Sequence, residues 1–385
     1  CTCNYAEMLT RQHSGYGFLQ RTELDQDHLL GRDPLDVEIS LKPSDAAVVV
    51  TDNEMDSVLT MYASLPLHTR AVAERFEIKA SEYSKFERIG EGGVGQIWRG
   101  QWRGVPVAVK ELRAGSGQLA LWDLIRELEL WSRLRHPNLV TFLGATTGSG
   151  PPVILCEFMP GGSMEDLMAN RRRALGQPWE PPRPLTAEWS LGLARALCYL
   201  HEGGVLHRDV KPGNILFSHA GGEGTLKLTD FGLARVRPAG PCKMTGKSGT
   251  ARYMAPEVSR RDPDYTSAAD VYSAAMVLWE MQTGRRPLEQ LAADAAADAA
   301  LAGARPDRYA VRWGGMRDLV VRAWDPSPEF RPTARELVEL LERMPGRPAR
   351  RPAAGGRMCD CSLCCWCACQ VWYPKRSPGP ADVVP

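Results

Sequence analysis

Hydrophobic and polar positions divide the 385-residue chain into a dense, regular middle and two irregular ends. Residues 1 to about 80 mix short apolar and polar runs, with no internal repeat and no motif. Within them Val48-Val49-Val50-Thr51 predicts a strand, entered through a turn at Leu41-Lys42-Pro43-Ser44-Asp45. From Tyr83 to Met344 the pattern tightens. Gln96–Gly100 and the run Val105-Pro106-Val107-Ala108-Val109-Lys110 predict two strands. Leu121, Leu124, Ile125 and Leu128 recur at helical spacing and predict an amphipathic helix over 119–133. Leu193, Leu197 and Leu200 mark one face of a second helix, and Ile215-Leu216-Phe217 and Leu226-Lys227-Leu228 predict short strands. Asp270 opens an almost wholly apolar run through Trp279, as expected of a helix buried on all sides. Arg171 to Pro184 is basic and Pro-rich and predicts a surface insertion. Leu291–Leu301 is Ala/Asp low complexity: its composition suits a helix but offers no apolar stripe to anchor one. After Met344 come Pro, Arg and Gly, then a Cys cluster, and a poorly ordered tail is expected over 345–385.

Composition narrows the classes. Hydrophobic residues are 44% and charged residues 24%, ordinary globular usage with ample material for a core. The formal net charge of +1 gives no support for a nucleic-acid binder. No run of about 18 apolar residues occurs, so no transmembrane segment is expected. The sequence opens on Cys1 rather than Met, so its natural start is expected upstream, and a leader peptide there is left open. Six of the 11 cysteines crowd between Cys359 and Cys369, and the middle carries only Cys156, Cys198 and Cys242. A disulfide-built secreted domain would spread them through the fold, so a reduced, cytoplasmic domain is expected.

The candidate chemistry lies in the middle. Gly90-Glu91-Gly92-Gly93-Val94-Gly95 fits G-x-G-x-x-G, a loop that can turn tightly and approach phosphate oxygens. A dinucleotide-binding loop of this form should open into a helix; this one opens into a strand, and no Gly-Lys-Ser/Thr follows to make a P-loop. Lys110 ends the next strand. It is either a solvent-facing strand lysine or the partner of Glu127, at the margin of the 119–133 apolar face; the alternative for Glu127 is pairing only along its own helix. His207-Arg208-Asp209-Val210-Lys211-Pro212-Gly213-Asn214 and Asp230-Phe231-Gly232 then present two Asp, one Asn and one Lys on loops beside short strands. That set suits phosphoryl transfer: oxygen ligands for Mg²⁺, a carboxylate to orient a hydroxyl, and a cation for the moving phosphoryl group.

With these motifs residues 83–344 resemble a complete eukaryotic protein kinase domain. Supporting pieces are Gly249-Thr250-Ala251-Arg252-Tyr253-Met254-Ala255-Pro256-Glu257, the helix start Asp270-Val271-Tyr272-Ser273, and Trp324-Asp325-Pro326 leading to Arg331-Pro332-Thr333. His136-Pro137-Asn138-Leu139-Val140 and the Trp-Asp-Pro…Arg-Pro-Thr ending resemble the tyrosine-kinase-like group, which includes Raf-like and mixed-lineage-like kinases. The resemblance implies an α+β, bilobal protein kinase fold. A small β-rich N-lobe (83–156) would hold a five-stranded sheet and one regulatory helix, a hinge would span 157–162, and a larger, mainly helical C-lobe 163–344, with ATP between them. Residues 1–82 and 345–385 lie outside it.

The implied roles follow residue by residue. Gly90, Glu91, Gly92, Gly93, Val94, Gly95 and Ile97 would cover the nucleotide, with Ala108, Cys156 and Leu216 lining its pocket. The Glu157 carbonyl and Met159 amide would meet the adenine edge, Cys156 being the gatekeeper. Lys110 would touch the α/β-phosphates and pair with Glu127. Asp230 and Asn214 would bind Mg²⁺, Asp209 would orient the substrate hydroxyl, and Lys211 would stabilise the transferred phosphoryl group. Glu257 and Arg331 would pair under the substrate platform. Lys211 and Thr250 match the Ser/Thr-specific pattern, so the expected partners are ATP and protein substrates carrying Ser/Thr hydroxyls. Dual specificity and a non-catalytic scaffold are the alternatives. Thr245 or Ser248 is the regulatory phosphosite candidate, with Arg208 as its phosphate partner and Thr250 beside Asp209; the alternative is that all three are plain loop hydroxyls. Trp131 is bulkier than the residue usual between the lobes and would either hold its helix outward or lock it inward. Cys359, Cys361, Cys364, Cys365, Cys367 and Cys369 offer Zn²⁺ ligation, a lipidated membrane contact beside Trp366 and Trp372, or no site.

Overall fold

The computed structural model describes residues 66–91, 95–112, 118–148, 150–236, 251–260 and 266–344. The strand expected at 48–51, the loop hydroxyls Thr245, Ser248 and Thr250, the glycine-loop tip Gly92-Gly93-Val94 and the cysteine cluster lie outside these residues.

Alternation of apolar and polar side chains produces the sheet of the smaller lobe. A short helix, α1 (Leu67–Ala73), precedes strands β1 (Tyr83–Glu91), β2 (Gly95–Trp102) and β3 (Val105–Leu112). Helix α2 (Gln118–Trp131) follows, then β4 (Phe142–Thr146) and β5 (Val153–Glu157). The strands form one antiparallel sheet in the order β1-β2-β3-β5-β4. Lys110 therefore sits on the central strand, in register with Ile97 of β2 and Ile154 of β5. Val107, Val109, Leu155 and Ile78 bury one cluster against Trp98 and Trp102.

The larger lobe holds α3 (Met164–Leu175), α4 (Arg183–Glu202), the strand pairs β6 (Val205–Leu206) with β9 (Arg235–Val236) and β7 (Ile215–Phe217) with β8 (Leu226–Leu228). Helices α5 (Pro256–Ser259), α6 (Ala268–Thr283), α7 (Ala293–Leu301), α8 (Gly314–Ala323) and α9 (Ala334–Glu342) complete it. Helix α6 is buried on nearly every side, as its unbroken apolar run requires. The Arg331 guanidinium donates to both Glu257 oxygens at 2.5 and 2.9 Å and to the Ala268 carbonyl at 3.0 Å, joining α5 to the start of α6. No described helix is long and apolar enough to cross a membrane.

Two expectations change in part. Residues 171–184 lie mostly at the surface, as expected, but are not one insertion: Arg171-Arg172-Arg173 belong to α3, which Gly176 ends in the left-handed region at φ 66°. In the remaining loop the Trp179 ring meets Trp189 edge-on at 6.4 Å. The Ala/Asp stretch is a helix after all, because small side chains suffice to anchor it. Ala296 and Ala300, one turn apart, are buried.

Candidate active site

Helix α2 positions the first acidic group. Leu124, Leu128 and Trp131 make its buried stripe at i, i+4 and i+7, and Glu127 occupies the i+3 place within it. Its side chain is only 1% exposed, so it needs a cationic partner. Lys110 supplies one, donating to both carboxylate oxygens at 2.5 and 2.6 Å. The reading of Glu127 as a group pairing along its own helix is thereby set aside.

Across the cleft, Asp230 Oδ1 lies 3.5 Å from Lys110 Nζ. Burial alone would discharge Lys110, but Glu127 and Asp230 outweigh it and hold the ammonium charged well above its usual range. Burial also opposes ionisation of Asp230; Lys110, His207 and Lys211 prevail and keep that carboxyl below its ordinary pKa. Asp230, two residues past the end of β8, has positive φ (68°), a strained conformation for an L-residue. Gly232 leaves room for this corner: a Cβ there would lie 3.3 Å from Asp230 Oδ1 and 3.5 Å from Glu127 Oε2.

The loop from His207 to Asn214 links β6 to β7. Lys211 Nζ donates to Asp209 Oδ2 at 2.6 Å, and the Asn214 side-chain amide donates to the same oxygen at 2.9 Å and to the Asp209 carbonyl at 2.8 Å. The other carboxylate oxygen, Asp209 Oδ1, is buried and has no hydrogen-bond partner among the described residues. Arg208 stands at φ 69°, a conformation L-residues adopt only when held. The holder is Asp270 at the start of α6. Its Oδ1 accepts from the Arg208 amide (2.7 Å), and its Oδ2 from the His207 amide (2.8 Å) and from His201 Nε2 (2.9 Å).

Between the lobes, Ala108 and Cys156 are cross-strand neighbours on β3 and β5, and Met159 is buried beyond them. Burial raises the Cys156 thiol to a pKa of about 12, so it stays protonated. The chain leaving β5 is tied to β7: the Gly161 amide donates to Phe217 O (3.0 Å) and the Phe217 amide to Gly162 O (3.1 Å). Gly161 is required there, since a Cβ would come within 2.2 Å of His219 O. Leu216 follows at half burial on β7. The Glu157 side chain accepts from the Thr141 amide and hydroxyl (2.7 Å each) and from Lys227 of β8 (2.5 Å), a tie between the lobes. Gly90 and Glu91 on β1 pair with Ile97 and Gln96 on β2, and Gly95 begins β2.

The structure thus gathers Lys110, Glu127 and Asp230 into one cluster and Asp209, Lys211 and Asn214 into a second, with His207 linking them through its edge contact with Phe231 at 5.5 Å. The contacts that Asp270 makes to the loop amides and Lys227 to Glu157 were missed from sequence. A single carboxylate at the head of an apolar helix was the available signal for Asp270. Trp131 locks α2 inward: it is buried, donates Nε1–H to the Val140 carbonyl (2.8 Å) and meets the Phe231 ring at 5.6 Å.

A small sheet lobe and a helical lobe facing across these clusters define a protein kinase domain. A protein-family model described as protein tyrosine and serine/threonine kinase matches residues 84–341, and the chain belongs to that family. Serine/threonine-protein kinase VIK of Arabidopsis thaliana is 34% identical over 281 residues, covering 70% of this chain and 62% of the relative. Serine/threonine-protein kinase 12 of the same plant is 35% identical, covering 72% and 60%. Dual specificity protein kinase splA of Dictyostelium discoideum is 31% identical, covering 71% of this chain and 12% of its own. The chain therefore spans about three-fifths of the length of the two plant relatives.

Proposed function

We propose that this chain is a protein serine/threonine kinase that transfers the γ-phosphoryl group of ATP to Ser/Thr hydroxyls of protein substrates. The observation that carries this reading is the buried, unpartnered Asp209 Oδ1, beside an oxygen already saturated by Lys211 and Asn214. A buried acceptor without a donor is costly unless a ligand provides one, and a substrate hydroxyl would. In the loose transition state of phosphoryl transfer, positioning and charge neutralisation do most of the work.

In this reading Lys110, fixed by Glu127, would hold the α/β-phosphates under Gly90, Glu91 and Gly95. Ile97, Ala108 and Leu216 sandwich the adenine, whose edge meets the Glu157 carbonyl and the Met159 amide beside Cys156. Asp209 aligns the acceptor hydroxyl and Lys211 neutralises the moving phosphoryl group. The donor set of Asp230 carboxylate and Asn214 amide oxygen suits Mg²⁺, a hard cation that keeps waters and phosphate oxygens among its ligands. The Asn214 nitrogen is occupied by Asp209, leaving the oxygen as the end that would meet the cation. Bound there, Mg²⁺ would offset the negative charge that builds on the phosphates.

The test is ATP-dependent phosphate incorporation into a generic protein, followed by phosphoamino-acid analysis, for wild type and Lys110→Met. Phosphoserine and phosphothreonine in the first and neither in the second are expected. Equal incorporation by both would overturn the reading, and phosphotyrosine would redirect it to dual specificity.

A further inference from the structure

Residues 66–79 precede the family match and carry none of its motifs, yet they pack against the part of the small lobe that holds Glu127. Three kinds of contact make the attachment. The first is backbone. Residues 76–78 run along the free edge of β4: the Ala145 amide donates to Phe76 O (2.8 Å) and the Ile78 amide to Ala145 O (2.7 Å). Thr146 Oγ1 donates to Ile78 O at 2.6 Å. Gly144 permits this approach, because a Cβ there would lie 2.6 Å from Phe76 O and 2.5 Å from Ile78 Cδ1. A sheet edge that would otherwise be open is thereby covered.

The second is charge. Arg70 of α1, 13% exposed, donates to Glu129 of α2 at 2.5 Å. Arg133, just past the end of α2, lies 3.7 Å from Glu74. Ala71, the neighbour of Arg70 on α1, is fully buried. Glu129 is two residues from Glu127, so the contact bears directly on the helix that presents it.

The third is a series of rings. Phe76 meets Phe142 edge-on at 5.7 Å, and Phe142 meets Trp131 of α2 at 6.2 Å. Trp131 meets Phe231 at 5.6 Å, and Phe231 meets His207 at 5.5 Å. The series runs unbroken from the 66–79 segment to the residue after Asp230 and the residue two before Asp209. A buried ion pair such as Lys110–Glu127 is by itself a weak fixture, because desolvation offsets its attraction. Packed rings and the second ion pair are better suited to decide where α2 rests.

We propose that residues 66–79 are a positioning element of the phosphoryl-transfer site. They hold α2, and so Glu127, against Lys110 through the Arg70–Glu129 pair and the packing of Phe76 on Phe142, the ring neighbour of Trp131 on α2. The functional unit then includes residues 66–79, ahead of the start of the family match at residue 84. The proposal rests on the kinase reading above for its catalytic consequence, but not for its structural one.

The test uses the full chain with Arg70→Glu, Glu129→Arg, the double exchange, and Phe76→Leu. Each is read by kcat, KM, melting temperature and amide hydrogen exchange along α2. Each single charge reversal is expected to lower kcat about tenfold with KM for the protein substrate nearly unchanged, as coupling energies of this kind predict. The double exchange restores the pair and should recover kcat to within about threefold of wild type. Phe76→Leu, which keeps an apolar side chain but removes the ring, should show the same kcat loss if a charge reversal fails to fold. Full kcat in the singles, or no recovery in the double, would overturn the proposal, and so would a lowered melting temperature with unaltered kcat. If wild type transfers no phosphate, the kinase reading fails on its own, and exchange decides the brace. Faster exchange of α2 amides in the singles, reversed in the double, supports it; unchanged exchange refutes it.

Discussion

Replacing Asp270 by Asn probes the loop that carries Asp209 without touching the cleft. The carboxylate is buried and accepts three hydrogen bonds, from the amides of His207 and Arg208 and from His201. Asn keeps one oxygen but turns an NH₂ toward a donor. One charge-assisted bond, worth about 1.5–3 kcal/mol, is lost, and a buried N–H is left unsatisfied at about 1–3 kcal/mol more. A net cost of about 3 kcal/mol allows for partial relaxation, and corresponds to a melting temperature lower by about 6–12 °C. Arg208, held at φ 69°, is then free to relax, and a shift of about 1 Å at Asp209 can cost about 100-fold in kcat. The effect has a pH signature. Burial opposes ionisation of Asp270, but His201, His207 and the Arg208 amide outweigh it, so its folded pKa lies below the unfolded value. Its stabilisation is therefore complete above about pH 4 and is lost as pH falls through the folded pKa. The Asn variant should lack that acid dependence. Thermal melting across pH 2–7, as an approximate range, and initial rates at neutral pH make the assay. An Asp270→Asn protein that melts within about 2 °C of wild type and keeps full kcat would refute the reasoning.

Two further predictions concern the large lobe. Glu280 accepts from the Tyr253 hydroxyl at 2.6 Å, and burial, only partly countered by Tyr253, Arg172 and Arg286, raises its pKa to about 7. The folded state therefore binds a proton that the unfolded state releases between about pH 4.5 and 7, and stability contributed here falls as pH rises through that window. Glu280→Gln should accordingly compare more favourably with wild type at pH 8 than at pH 5 in urea melts; the opposite trend would contradict it. Arg331→Met leaves Glu257 charged and buried, and should cost about 3–5 kcal/mol in the same urea melts; a change below about 1 kcal/mol would show the pair to be dispensable.

Much of this was legible in the sequence, for physical reasons. The short strands at 215–217 and 226–228 and the apolar run after Asp270 announce themselves because burial imposes periodicity. The Lys110–Glu127 pair was legible only as one of two options, since a helix pattern tells which face is apolar but not what lies across from it. Four features were illegible because they depend on tertiary contact. Asp270 reaches back over 60 residues to the loop amides, and Lys227 reaches Glu157 across the lobes. The alanines of α7 are too small to register as a stripe, yet they bury. Residues 66–79 look unremarkable until β4 is seen to leave an edge for them.

The most direct measurement of the central claim is the single substitution Asp209→Asn, read by ATP dissociation constant and kcat together. Nucleotide affinity should stay within about threefold of wild type, because Asp209 would contact the acceptor hydroxyl and not the adenine or its phosphates, while kcat should fall at least about 100-fold. Unchanged kcat would show that the unpartnered Asp209 oxygen is not where the hydroxyl is received.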